Sequence, residues 1–191
     1  MLSADDFCRL MDKVRSRFRF AGQAEVAVEI DPRTLTRDMA AALARAGVTR
    51  ASLGVQDFNV HVQEAINRVQ PYEVTENAVD WLRQAGINAV NFDLMYGLPG
   101  QTADDVARSV ELAHKLKPTR LALFGYAHVP WMKTHQKMID TGALPDGPER
   151  MVQVETAARG LTGLGYRAIG LDHFALAGDP LSLALDEGRL R

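Results

Sequence analysis

Three times along the chain a helix-forming stretch runs into a glycine and then, within a few residues, into a strand-forming one. Leu43-Ala-Arg-Ala-Gly47 precedes a strand at 50–56, Leu82-Arg-Gln-Ala-Gly86 one at 89–93, and Leu161-Thr-Gly-Leu-Gly165 one at 167–172. A residue just past a helix end takes positive φ, which glycine adopts at little cost. Lys117-Pro118 stops a fourth helix ahead of a strand at 120–124, since proline cannot continue a helix, and residues 25–30 supply a strand before all of these. At least five strands are thus separated by helical stretches at 39–46, 73–84, 104–116 and 150–164. That alternation predicts βαβ units with right-handed crossovers and an α/β fold on a parallel sheet. Thr102, followed by Asp104 and Asp105, reads as the cap of the third of these helices. Residues 140–148, rich in Gly and Pro, read as a long loop.

Side-chain parity chooses between an open sheet and a barrel. Val26, Val28 and Ile30 share one face of the first strand and leave Glu29 on the other. Ala51, Leu53 and Val55 lie opposite Ser52, Gly54 and Gln56, and Val90 and Phe92 lie opposite Asn91 and Asp93. A wholly buried parallel sheet is apolar on both faces. Here one face repeatedly carries small residues and then a polar group near the strand's C-terminal end, the pattern of a barrel lumen with a site at its upper rim. Val28, Leu53 and Phe92 are then expected to face helices.

Glu29, Gln56 and Asp93 end successive strands with the same parity. Ligands of parallel α/β folds bind outside the carboxyl ends of the strands, so these three can meet a ligand with hydroxyl or ammonium groups. Read alone, each is equally a strand-end polar group satisfied by its neighbours. Arg68 reads either as a solvated surface group or as a fork for a ligand carboxylate. His128 and His173 fall just past predicted strands, without the spacing of a zinc site. Gly97-Leu-Pro-Gly-Gln-Thr102 is a strand-to-helix turn lacking the lysine of a phosphate loop. Met95, Met132 and Met138 read as packing residues.

The remaining function classes narrow on charge and cysteine. Of 191 residues, 22 are Lys or Arg and 24 Asp or Glu, for a net charge of −2. No basic stripe interleaved with aromatics argues for nucleic acid. No apolar run approaches the roughly 18 residues that span a bilayer, and the first residues lack a signal peptide's pattern. A cytoplasmic protein is expected. The one cysteine, Cys8, reads as a small hydrophobe on the first helix and excludes a disulfide within the chain. A Schiff-base lyase is disfavoured, because no lysine stands at a predicted strand end.

At Val28-Glu-Ile-Asp-Pro32, Leu53-Gly-Val-Gln-Asp-Phe58, Asn91-Phe-Asp-Leu-Met-Tyr-Gly-Leu-Pro99, Tyr126-Ala-His-Val-Pro130 and Gly170-Leu-Asp-His-Phe174, the chain resembles the oxygen-independent coproporphyrinogen III oxidase family. The resemblance runs through essentially the whole chain in the family's order. It implies a radical S-adenosylmethionine core built as a partial (β/α) barrel. It also implies a [4Fe–4S] cluster that cleaves S-adenosylmethionine to a 5′-deoxyadenosyl radical, and decarboxylation of the propionates of coproporphyrinogen III to vinyl groups in haem synthesis. Carried over by motif, Glu29, Gln56, Arg68, Asp93 and the backbone at Ala127 are S-adenosylmethionine contacts. The haem-chaperone-like branch of the same superfamily is the nearest alternative, but its motifs read Asn-Pro and Gln-Ser-Phe where this chain has Asp31-Pro32 and Gln56-Asp57-Phe58. A non-catalytic domain that binds S-adenosylmethionine or porphyrin is a further one.

The family's Cys-x-x-x-Cys-x-x-Cys loop and Gly-Gly-Thr-Pro strand end do not occur here. The resemblance therefore implies an N-terminally truncated internal piece, one incomplete barrel domain over 1–191, without the C-terminal domain. Such a piece is expected to be inactive, to hold no metal through its own residues, and to self-associate through an open sheet edge.

Overall fold

The computed structural model describes residues 2–190. Four strands lie side by side in chain order and run parallel: β1 (Ala27–Ile30), β2 (Arg50–Gln56), β3 (Ala89–Tyr96) and β4 (Arg120–Gly125). Between them run α2 (Arg37–Arg45), the pair α3 (Val60–Ala65) and α4 (Tyr72–Gln84), and α5 (Ala103–Lys115). Helix α1 (Ala4–Arg17) precedes β1, and α6 (Gly147–Gly163) follows β4. The helix stops behave as their chemistry requires: Gly47 and Gly86 take φ of 77° and 97° after α2 and α4. Lys117, just ahead of Pro118, takes φ 50° without being glycine.

Past α6 the architecture departs from the sequence expectation. The strand β5 (Tyr166–Gly170) does not pair with β4. The chain turns back at once into β6 (His173–Leu176), which lies between β4 and β5 and is antiparallel to both. The sheet has six strands in the order β1-β2-β3-β4-β6-β5 and is mixed, not wholly parallel. His173 therefore opens a strand instead of trailing one. The turn is made by Gly170 at φ 139° and Leu171 at φ 50°. A solvent-facing leucine in the left-handed region is not a hairpin signal that a sequence displays. A final helix, α7 (Pro180–Asp186), is capped by Asp179.

Leu53, Phe92, Val90 and Ala51 are fully buried and pack against Ala78, Val79 and Leu82 of α4 and Val110 of α5. Leu53 and Phe92 thus face helices as parity implied, while Val28 on the edge strand is only half-buried. Thr102 and Asp105 form a reciprocal capping box at the start of α5. Asp146 and Glu149 form a second at the start of α6, so the expected loop at 140–148 is shortened by α6 and by a 3-10 turn at Thr141–Ala143. Cys8 is half-buried on α1, its sulfur 3.8 Å from the Ala42 carbonyl oxygen. That position suits a small packing residue.

Candidate functional site

The face of the sheet turned away from α4 and α5 is polar and layered by the strand register. One level runs Glu29, Ser52, Asn91, Arg120, and the next runs Gly54, Asp93, Ala122, His173. Glu29, Ser52, Asn91, Asp93, Phe124 and His173 line a cavity of about 340 Å³ on this face. Ser52 donates to the Asp93 carboxylate at 3.3 Å from each oxygen. Burial pushes the Asp93 carboxyl above the ordinary carboxylate range; the Ser52 hydrogen bond and His173 oppose the rise, and Glu29 adds to it. Glu29 makes no hydrogen bond or ion pair among the described residues, so its oxygens are free to accept.

Two buried arginines close the deep end of the cavity. Arg50 donates to Glu25 at 2.8 Å, to Asn91 Oδ1 at 2.8 Å, to Thr119 Oγ1 at 2.9 Å and to Asp179 at 3.2 Å. Arg120 donates to the other Asp179 oxygen at 2.7 Å. Asp179 is both the cap of α7 and the acid between two guanidinium groups, which ties the C-terminal helix to the starts of β2 and β4.

Gln56 reaches the same face by a different route from simple alternation. The β2–β3 register slips between Gly54 and Gln56, and Gln56 takes φ 70°, a bulge that re-aims the side chain. Its Nε2 folds back over Gly54, 3.0 Å from where a Cβ there would sit, so a side chain at this position would push the Gln56 amide aside. Arg68 comes to the same spot from the far end of α3. Its Nη2 donates to the Gly54 carbonyl at 2.7 Å and its Nη1 to Asp31 at 3.2 Å. Its Nε is buried and, among the described residues, has no partner. The guanidinium is thus partly committed within the protein and is not a free fork.

Gln56, Arg68, Met95, Tyr126, Ala127 and Gln136 line a second cavity, also about 340 Å³. Gln136 clamps the segment after β4: its amide oxygen accepts from Val129 N–H at 2.6 Å and its nitrogen donates to the Ala127 carbonyl at 3.0 Å. Of the five residues singled out from the sequence, Glu29 and Asp93 line the first cavity, and Gln56, Arg68 and Ala127 the second. Gly54 joins the two groups, being level with Asp93 and touched by Gln56 and Arg68. His128 is turned to the Tyr126 hydroxyl at 3.1 Å. Among the described residues no group of three or more His, Cys, Asp or Glu side chains is placed to hold a metal ion.

Sequence reasoning missed Gln136, Phe124, the arginine pair and Asp57. Asp57 is fully buried and accepts four hydrogen bonds: from Asn59 N–H at 2.6 Å, Asn59 Nδ2 at 2.9 Å, Gln101 Nε2 at 2.8 Å and Ser109 Oγ at 3.1 Å. A carboxylate next to a strand-end glutamine was the available signal.

Residues 3–113 match the Radical SAM superfamily, and the chain belongs to that family, whose cofactors are S-adenosylmethionine and a [4Fe–4S] cluster. Within it, the chain is 51% identical over 191 residues to an oxygen-independent coproporphyrinogen III oxidase of Bradyrhizobium diazoefficiens, covering 100% of this chain and 42% of that one. It superposes on coproporphyrinogen III oxidase of Escherichia coli, a radical SAM enzyme, with a TM-score of 0.93 and 37% identity, over 98% of this chain and 43% of that one. The archaeal Elp3 of Methanocaldococcus infernus, 17% identical, shares the fold with a TM-score of 0.66 over 82% of this chain and 41% of that one. The chain therefore spans well under half the length of these relatives. No described helix is long and apolar enough to cross a membrane.

Proposed function

We propose that this chain is the part of an oxygen-independent coproporphyrinogen III oxidase that holds S-adenosylmethionine, an incomplete (β/α) barrel whose parent converts propionates of coproporphyrinogen III to vinyl groups in haem biosynthesis. The observation that carries this reading is the strip along the polar face of β1, β2 and β3, where Gln56 ends β2 but Asp93, expected at a strand end, lies mid-strand in β3, which runs on to Tyr96. There an unpaired carboxylate (Glu29), a half-buried one (Asp93), a bulge-directed amide (Gln56) and a buried, unpartnered guanidinium nitrogen (Arg68 Nε) adjoin two cavities. These groups fit the cofactor's chemistry. The carboxylates accept from ribose hydroxyls or an ammonium, Arg68 Nε donates to a carboxylate, and Ala127 offers a backbone wall. When bound, S-adenosylmethionine supplies a carbon radical on one-electron reduction. The residues present here bind and orient it.

The reducing cluster needs thiolate ligands, and the chain has only Cys8, half-buried on α1. The 191 residues alone therefore bind no cluster and turn nothing over. The setting is the cytoplasm, without nucleic-acid or membrane partners. β1 pairs on one side only, and an open strand edge invites a second chain, so self-association accompanies the isolated piece. Anaerobic reconstitution with iron and sulfide, followed by calorimetry with S-adenosylmethionine, tests the reading. The expected result is saturable binding without stoichiometric iron or 5′-deoxyadenosine. Absence of any saturable heat would remove the binding role, and dithionite-dependent 5′-deoxyadenosine would contradict the inactive state.

A further inference from the structure

The first cavity has two walls of different chemistry. On β1 and β3 stand the carboxylates of Glu29 and Asp93. The opposite wall, built by β4 and β6, presents Phe124 and His173. The imidazole stands edge-on to the Phe124 ring, with centroids 6.2 Å apart and an interplanar angle of 85°. Phe124 is 38% exposed, although every other residue from Arg120 to Leu123 is buried. The uncovered ring therefore adds an apolar surface to a cavity otherwise lined largely by polar groups.

The register explains why there is room in front of this wall. Asp93 and His173 are both partners of Ala122, one on each side, so a methyl group separates an acid from an imidazole at the same level. The position of His173 is held by the backbone: Leu123 N–H donates to the Asp172 carbonyl at 2.8 Å, which pins the β5–β6 turn to β4. The imidazole itself has no hydrogen-bond partner among the described residues. A rigid aromatic platform next to a free N–H donor suits a flat, electron-rich ring that carries a carboxylate side arm.

We propose that Phe124 and His173 form a substrate-facing wall, with Phe124 packing against a pyrrole ring and the His173 imidazole donating to a propionate carboxylate. This rests on the function proposed above and adds to it two residues that face the tetrapyrrole, opposite the carboxylates that face the cofactor.

The test is fluorescence titration of the chain with coproporphyrin III, paired with calorimetry using S-adenosylmethionine, on wild type, Phe124→Ala, His173→Ala and His173→Gln, with circular dichroism as the folding control. His173→Ala is expected to weaken porphyrin binding about tenfold or more, the scale of one hydrogen bond to a charged group. His173→Gln, which keeps an N–H donor, should restore affinity to within about threefold of wild type. Phe124→Ala should also weaken porphyrin binding, and both alanine variants should weaken it by a larger factor than they weaken S-adenosylmethionine binding, since Glu29 and Asp93 line the same cavity. Equal porphyrin affinity in wild type, Phe124→Ala and His173→Ala would overturn the proposal and leave the cofactor reading standing. So would a wild type that binds S-adenosylmethionine but no porphyrin. A wild type that binds neither would overturn the cofactor reading and this proposal with it.

Discussion

Asp57 and Gln101, 44 residues apart in the chain, are joined inside the protein by a 2.8 Å hydrogen bond from the Gln101 amide to Asp57 Oδ2. The same amide nitrogen donates to the Met95 carbonyl at 2.9 Å, and its oxygen accepts from Leu98 N–H at 3.1 Å. Asp57 directly follows Gln56, while Met95 and Leu98 line the same cavity as Gln56. One buried carboxylate therefore sets the spacing between a strand end that bears a ligand candidate and the turn that walls its cavity.

Asp57→Asn keeps the shape but replaces an acceptor with an N–H₂ group aimed at donors. Gln101 cannot turn over to meet it without releasing Leu98 and Met95. The variant is expected to be less stable by about 1–3 kcal/mol, the usual range for a buried group left without a proper partner, read from urea midpoints. An unchanged midpoint would mean that the four hydrogen bonds do not organise this region.

Asp93 is expected to lower stability at neutral pH. Its carboxyl is raised above the ordinary value of 3.8, chiefly by burial, so the folded state holds that proton more tightly than the unfolded state. The associated stability is fully present below the ordinary value and is lost as pH rises through the folded one. Asp93→Asn, which still accepts from Ser52, should therefore raise the urea midpoint at pH 7, and the gain should vanish as pH falls below 3.8. A variant less stable than wild type at pH 7 would identify Asp93 as a structural group.

The arginine pair at the cavity floor gives a contrast between buried and exposed ion pairs. Asp179 is 2% exposed in its side chain and lies between Arg50 and Arg120. Asp179→Ala leaves the two guanidinium groups with only the more exposed Glu25 as a shared acid, at 2.8 Å from Arg50 and 3.5 Å from Arg120, and removes the cap of α7. It should cost about 3–5 kcal/mol, measured by thermal or urea denaturation. Asp186→Ala breaks the Arg167 pair at 2.7 Å, which is solvent-exposed, and should leave the midpoint unchanged. Equal effects from the two variants would show that the floor network is not held by charge.

What was legible in the sequence is what is local. Gly47 and Gly86 end helices by their own backbone freedom, and the alternation in residues 50–56 and 89–93 is visible without knowing their partners. Glu29 and Asp93 could be placed on one face by parity for the same reason. The β5–β6 hairpin was not legible, because its turn rests on Leu171, a residue with no preference for positive φ. Gln56 reaches the expected face through a bulge and not through the alternation that suggested it. The Arg50 network could not be read at all, since its acids lie 25 and 129 residues away and only the folded register brings them together. The division of the five candidates between two cavities is likewise a property of the bulge at Gly54.

Under the proposed function, one S-adenosylmethionine molecule spans the Glu29–Asp93 cavity and the Gln56–Arg68–Ala127 cavity. Calorimetric titration of wild type, Asp93→Ala, Arg68→Ala and the double variant tests it most directly. The expected result is one ligand per chain, with each single substitution weakening binding by about 1–3 kcal/mol and the double variant weaker than either. Two ligands per chain, or an Arg68→Ala variant that binds as tightly as wild type while Asp93→Ala does not, would contradict it.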